Sequence, residues 1–138
     1  MHVKVITPEK VIFDNEADEL ILPTINGEIA VLPHHVDLLT QLAPGEMIIK
    51  VKGKDHHIAL TGGFLQIEQS ELSVLAEYAI RSEEIDTKKA QEAQKRAEEV
   101  LKNTEKVGER DFAIAQMDIR KAVLELKVAR KRRPNTIL

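Results

Sequence analysis

The sequence predicts an α+β chain in two parts: an antiparallel β sandwich or flattened barrel over residues 1–85, then a helical hairpin arm over residues 86–138. Three observations predict it. Up to Ile85 the chain reads in twos and is rich in Val, Ile, Gly and Pro; beyond it the period becomes three and four, and Ala, Lys, Glu and Arg dominate. Turn signals recur about every eight to ten residues in the first part, the spacing of short strands in a sandwich. The charge also reverses there: residues 1–85 carry 14 acids against 6 bases, and residues 86–138 carry 9 acids against 14 bases.

In chain order, His2 to Ile6 alternates, Thr7-Pro8-Glu9 turns, and Lys10 to Phe13 resumes before a second turn at Asp14-Asn15-Glu16. Glu19 to Pro23 and Glu28 to Leu32 form a hairpin about Asn26-Gly27, a strong tight-turn dipeptide. Pro33 to Asp37 breaks the ladder, and Leu38 to Leu42 reads as a strand or a short helical turn. Glu46 to Lys52 and His56 to Leu60 pair around Gly53-Lys54-Asp55. Phe64 to Glu68 and Leu72 to Leu75 pair around Gln69-Ser70-Glu71. No long helical pattern interrupts these strands, so a parallel sheet is not expected.

The first helix of the arm carries Ala90, Ala93, Ala97, Val100 and Leu101 on one narrow stripe, and Asn103 to Gly108 reads as its loop. The second helix differs. At about 100° per residue, Phe112, Ala115, Ile119, Ala122, Val123, Leu126 and Ala129 lie on one side, and Ala113, Met117, Leu124 and Val128 on the other. A helix apolar on two opposed faces needs two partners, and the first helix covers one.

Composition excludes several function classes. With no cysteine there is no disulfide framework, zinc–thiolate site or thiol nucleophile. No apolar run approaches the roughly 18 residues of a spanning helix, and the start reads as a strand rather than a signal peptide, so membrane association is expected only through partners. No Trp, one Tyr and three Phe leave little for base stacking. Adjacent His34-His35 and His56-His57, read as strand residues, point to opposite faces and cannot chelate through both rings, so no metal is expected. No nucleophile–base pair, carboxylate dyad or glycine-rich phosphate loop is evident, so the chain is not expected to be an enzyme. A nucleic-acid-binding module using the basic arm is the alternative reading; a net charge of −3 and acids interleaved through the first helix stand against it.

Several strings resemble the ε subunit of F-type ATP synthases. They are Val5-Ile6-Thr7-Pro8-Glu9-Lys10-Val11-Ile12-Phe13-Asp14, Gly27-Glu28-Ile29-Ala30-Val31-Leu32-Pro33-His34-His35, Thr61-Gly62-Gly63-Phe64 and Ile85-Asp86. Ala30 stands where that family usually has Gly, and Val36-Asp37 where Ala-Pro is common. The resemblance implies a ten-stranded antiparallel β-sandwich followed by an antiparallel helix–loop–helix. It implies a non-catalytic place in the central rotor, with the sandwich on the γ subunit and the c-subunit ring. The helical arm, folded or extended toward the catalytic α and β subunits, would slow ATP hydrolysis. The implied location is the cytoplasmic face of an energy-transducing membrane, a bacterial plasma membrane first, as part of the complex.

Site residues follow the same resemblance. Glu28 and His35 are expected to meet the c ring. Ile85, Asp86, Lys89, Ala90 and Arg96 resemble a motif with which some ε subunits bind ATP; Lys89 replaces the motif's Arg and gives up bidentate phosphate recognition. No cofactor is required on this reading, and ATP would be a weak regulatory ligand. Asp86 also reads as an N-cap. Arg120, Lys121, Lys127, Arg130, Lys131, Arg132 and Arg133 exceed what a helix C-terminus requires and are expected to meet an acidic segment of a catalytic subunit.

Overall fold

The computed structural model describes residues 1–103 and 108–131. The interior of the loop expected between Asn103 and Gly108, and the basic residues Arg132 and Arg133 with Pro134, lie outside the described residues. The chain divides into two compact units, Met1–Ser82 and Glu83–Leu138, which part a few residues before the charge change at Ile85.

The first unit is built of β1 (His2–Ile6), β2 (Val11–Glu16), β3 (Glu19–Thr24), β4 (Gly27–Val31), β5 (Leu38–Leu42), β6 (Gly45–Val51), β7 (Lys54–Leu60), β8 (Gly63–Glu68), β9 (Glu71–Ala76) and β10 (Ala79–Arg81). Alternation decides which side of each strand goes inward. Val3 and Val5, Leu20 and Leu22, Met47 and Ile49, Leu65 and Ile67, and Leu72 and Val74 are fully buried in one core. Each such side chain contributes roughly 1.5–3 kcal/mol on burial, and a one-residue slip would turn a whole strand's set outward, so the core fixes the register. Leu38–Leu42, readable as strand or turn, is a strand.

The hydrogen-bonded order is β10-β7-β6-β3-β5-β8-β9-β1-β2, with β4 attached to β3. The link between β3 and β5 is one residue pair, Thr24 with Leu42, so the sheet bends there into two layers about the core. Every pairing is antiparallel except β1 with β9, where Val5 lies opposite Val74 in a parallel register. The sheet as a whole is antiparallel, as expected, and this one pair is the exception. These two strands are joined by nearly the whole unit, and no turn sets their relative direction, so no local signal could report it.

The ends of this path, β2 and β10, approach one another. Arg81 donates from Nε (3.0 Å) and Nη2 (2.7 Å) to the Ile12 carbonyl, and its guanidinium lies 5.8 Å from the centre of the Phe13 ring. His56 meets the same ring at 5.8 Å between centroids. The sheet is closed on this side by a side chain rather than a ladder, which leaves the β2 and β10 edges guarded instead of open for further pairing.

His34 and His35 stand in a turn, not a strand, with His34 in the left-handed region at φ 68°. The opposite-faces reasoning therefore applies to His56 and His57 on β7 alone. His57 Nδ1 lies 2.9 Å from Glu46 Oε1. Among the described residues no three metal-ligating side chains converge.

The second unit opens with a single 3-10 turn, Ser82–Glu84, followed by α1 (Thr87–Lys102) and α2 (Glu109–Lys131). Asp86 caps α1, its carboxylate accepting from the Lys89 N–H at 3.1 Å. Ala90 and Ala97 on α1, and Ala115 and Ala122 on α2, are buried.

Gly63 is the tightest backbone position. Its φ is +144°, and a Cβ there would stand 2.0 Å from the Leu75 carbonyl oxygen on the neighbouring strand. Gly63→Ala is expected to force β8 and β9 apart and to lower unfolding stability by at least ~2 kcal/mol in urea titration.

Candidate docking surfaces

The outer face of the layer β5-β8-β9-β1-β2 is ordered in rows across the strands. Phe64 lies opposite Leu75, Leu75 opposite Ile6, and Ile6 opposite Val11, so these four side chains share one face. Phe64 is 52% exposed, Leu75 50% and Val11 52%. Beside them Leu39, paired with Gln66, is 71% exposed. Scattered exposed apolar residues are ordinary; a row of them in register is a candidate interface.

The next rows are polar. Gln66, Ser73, Lys4 and Asp14 follow one another, then Glu68, Glu71, His2 and Glu16. The face therefore grades from apolar to acidic along the strands. A shallow depression of about 390 Å³ lies at its polar end, lined by Gln66, Glu68, Gln69, Glu71 and Ser73. The sequence reading did not find this surface. Its signal is in the strings Lys4-Val5-Ile6, Gly63-Phe64-Leu65 and Val74-Leu75-Ala76, where the outward position is apolar too.

His2 anchors the acidic row. Its Nε2 is 2.5 Å from Asp14 Oδ1 and its Nδ1 is 3.4 Å from Glu16 Oε1. The hydrogen bond to Asp14 raises the imidazole pKa above 6.5, with Glu16 and the charge of Glu71 adding to it against some desolvation.

Of the residues expected at the c ring, Glu28 lies at the start of β4, beside the β3–β4 turn, and His35 in the segment between β4 and β5. Thr24 Oγ1 donates to the Gly27 carbonyl at 2.6 Å and accepts from the Asn26 N–H at 3.1 Å, closing the β3–β4 turn with Gly27 at φ +114°. Glu28 follows it, exposed and opposite Pro23. His35 is exposed, with Nδ1 2.8 Å from the Val36 carbonyl. No hydrogen bond or ion pair joins Glu28 to His35. Ile25 in the β3–β4 turn is 57% exposed, and Leu32 and Val36, in the segment after β4, are 55% and 76% exposed.

In the hairpin, a cleft of about 360 Å³ runs between α1 and α2. It is lined by Ala93, Arg96, Ala97 and Val100 on α1, and by Asp111, Ile114, Ala115 and Asp118 on α2. Of the five residues of the expected nucleotide motif, the cleft gathers Arg96. Ile85 and Ala90 are buried, Lys89 is exposed, and Asp86 caps the helix.

The basic residues of α2 divide by face. Arg120, Lys127 and Arg130 are exposed and follow one another at seven and three residues, with exposed Val123 between them, so they form one strip. Lys121 is half-buried on another face. The Lys131 side chain, Arg132 and Arg133 lie outside the described residues. Of the expected second apolar face, Val128 is buried, whereas Met117 is 64% exposed and neighbouring Ile114 46%. Among the described residues no helix is long and apolar enough to cross a membrane.

Comparisons with known proteins agree along the chain. Residues 1–82 match the family described as ATP synthase, Delta/Epsilon chain, beta-sandwich domain, and residues 83–130 the corresponding long alpha-helix domain. The ATP synthase epsilon chain of Dehalococcoides mccartyi is 38% identical over 133 residues, 96% of this chain and 94% of that protein. That of Nitratidesulfovibrio vulgaris is 37% identical over 128 residues, 93% of this chain and 94% of its own. A chain in the structure of Euglena gracilis mitochondrial ATP synthase, OSCP/F1/c-ring, has the same fold. The TM-score is 0.73 at 22% identity, with 92% of this chain and 79% of that one covered.

A group with a raised folded-state pKa stabilises fully below its unfolded value and loses that contribution as pH rises through the folded value. The chain should therefore lose stability above about pH 6.5 as His2 deprotonates. In His2→Gln this part of the Tm-against-pH curve should be flat.

Proposed function

The chain belongs to the ATP synthase delta/epsilon family as an epsilon subunit, a non-catalytic part of the central stalk, and we propose that it couples the γ subunit to the ring of c subunits and restrains ATP hydrolysis. The single observation that carries the docking half of this reading is the in-register row Phe64, Leu75, Ile6 and Val11. A fold that buries its core completely has no internal use for such a row outside it. Its apolar-to-acidic grading supports a partner with an apolar patch edged by bases, and on this reading that partner is γ.

The β3–β4 turn with Glu28 beside it, and the β4–β5 segment with His35, are the proposed contact with the c ring, where exposed Ile25, Leu32 and Val36 supply apolar area and Glu28 a charge. Membrane attachment on this reading comes through the ring, at the cytoplasmic face of a bacterial energy-transducing membrane.

The regulatory half rests on α2. One face of this helix carries buried Ala115 and Ala122, while Ile114 and Met117 are left exposed on another side. A helix of this kind has apolar surface for a second docked state, which suits an arm that exchanges partners. The strip Arg120, Lys127 and Arg130 supplies the charge that would hold an extended arm against an acidic segment of a catalytic α or β subunit. No cofactor is needed for either role. The nucleic-acid alternative gains no support from the described faces.

Two experiments test the two halves. Replacing Phe64 or Leu75 with Asp removes an apolar contact worth roughly 1.5–3 kcal/mol and buries a charge. Either variant, with its circular dichroism unchanged, should bind γ at least about tenfold more weakly. A chain stopped at Ile85 should still assemble, and the complex should hydrolyse ATP faster than with the full chain; failed assembly would make the arm structural instead.

A further inference from the structure

The nucleotide-binding expectation at Ile85, Asp86, Lys89, Ala90 and Arg96 meets a hairpin whose chemistry opposes it. We propose that the helical hairpin of this chain is blind to nucleotide: ATP does not bind between α1 and α2 at cellular, millimolar concentrations, and protein contacts alone set the arm's position. Only the arm's regulatory role rests on the reading above; the binding claim stands on the hairpin's own residues.

A triphosphate needs donors, and among the described residues the helix N-termini and the cleft between the helices already hold carboxylates. At the N-terminus of α1 the Asp86 carboxylate accepts from the Lys89 N–H at 3.1 Å, and the Ala90 N–H donates to the Asp86 carbonyl at 3.0 Å. A carboxylate thus stands where a phosphate would sit. The first turn of α2 carries Glu109 and Asp111, which give that helix end its negative partners already.

The cleft between the helices repeats the pattern. Among the described residues its one base, Arg96, faces a lining that includes Asp111 and Asp118, and the remaining lining side chains are aliphatic. Even with full water screening, a carboxylate close to a phosphate costs roughly fivefold in affinity. A magnesium ion does not rescue the site by bridging, because Asp111 and Asp118 are two helical turns apart, about 10 Å along the axis. Lys89, the residue standing where the motif has Arg, is exposed and outside the cleft lining. Phe112, the one aromatic residue after Ile85, is not part of the lining either, so adenine has no ring to stack on there.

Isothermal titration of the full chain with MgATP tests this directly. The expected result is no saturable binding up to about 1 mM, the affinity at which binding free energy falls to ~4 kcal/mol. In the double variant Asp111→Asn, Asp118→Asn, binding should tighten at least about tenfold, since two repulsions of roughly fivefold each are removed. Saturable sub-millimolar binding by the native chain, abolished by Arg96→Ala, would overturn the proposal. So would a double variant that folds with unchanged helicity and binds no better than the native chain, because charge would then not be the cause. Loss of γ binding in a separate assay would bear on the docking surface and leave this result untouched.

Discussion

A sheet bent around one core can satisfy its apolar residues on one side only, and this constraint organises the β unit. Val3, Val5, Leu20, Leu22, Met47, Ile49, Leu65, Ile67, Leu72 and Val74 fill the inside and fix the register of β1, β3, β6, β8 and β9. Arg81 then holds the two free ends of the sheet together through the Ile12 carbonyl, where a ladder would otherwise have to form. Gly63 permits the close approach of β8 and β9 on the opposite stretch of the path. Once the inside is full, apolar residues on the outside have no role in folding. Phe64, Leu75, Val11 and Leu39 are in that position, which is why the docking reading begins with them.

The hairpin obeys a different constraint. Its buried residues are largely alanines, so the two helices can come close but gain little apolar burial for each residue ordered. A unit held by so little is suited to exchange one set of contacts for another, because the free energy separating two arrangements is small. Exposed Met117 and Ile114, together with the strip Arg120, Lys127 and Arg130, are the surfaces available for such an exchange. Charge divides the hairpin in the same way: the cleft between the helices has Asp111 and Asp118 in its lining, and the outer strip of α2 carries Arg120, Lys127 and Arg130.

Much of this was legible in the sequence. Period and turn chemistry located nine of the ten strands and both helices, missing the three-residue β10 and reading the end of β2 at Asp14-Asn15-Glu16 as a turn, and Asp86 was recognisable as a cap before its bond to Lys89 was seen. The two-faced pattern of α2 was legible too, though not which part of the second face would be buried: Val128 is covered and Met117 is not. Three features were beyond reach for physical reasons. The parallel pairing of β1 with β9 joins residues about seventy apart, and no local preference encodes a direction over that distance. The outer apolar row exists only after four strands are placed in register, so Ile6, Val11, Phe64 and Leu75 look unrelated along the chain. The left-handed φ of His34 is the third: histidine enters that region more often than most non-glycine residues, yet in too few cases for its type alone to announce it.

The central claim is that the outer row of the β5-β8-β9-β1-β2 layer seats the γ subunit, and site-specific photocrosslinking tests it most directly. A photoreactive residue at Gln66 or Ser73 lies beside Phe64 and Leu75 without replacing them. One at Lys54, in the β6–β7 hairpin, serves as the control position. The account predicts that γ is captured from Gln66 and Ser73 and not from Lys54. Capture from Lys54, with none from the other two, would contradict it.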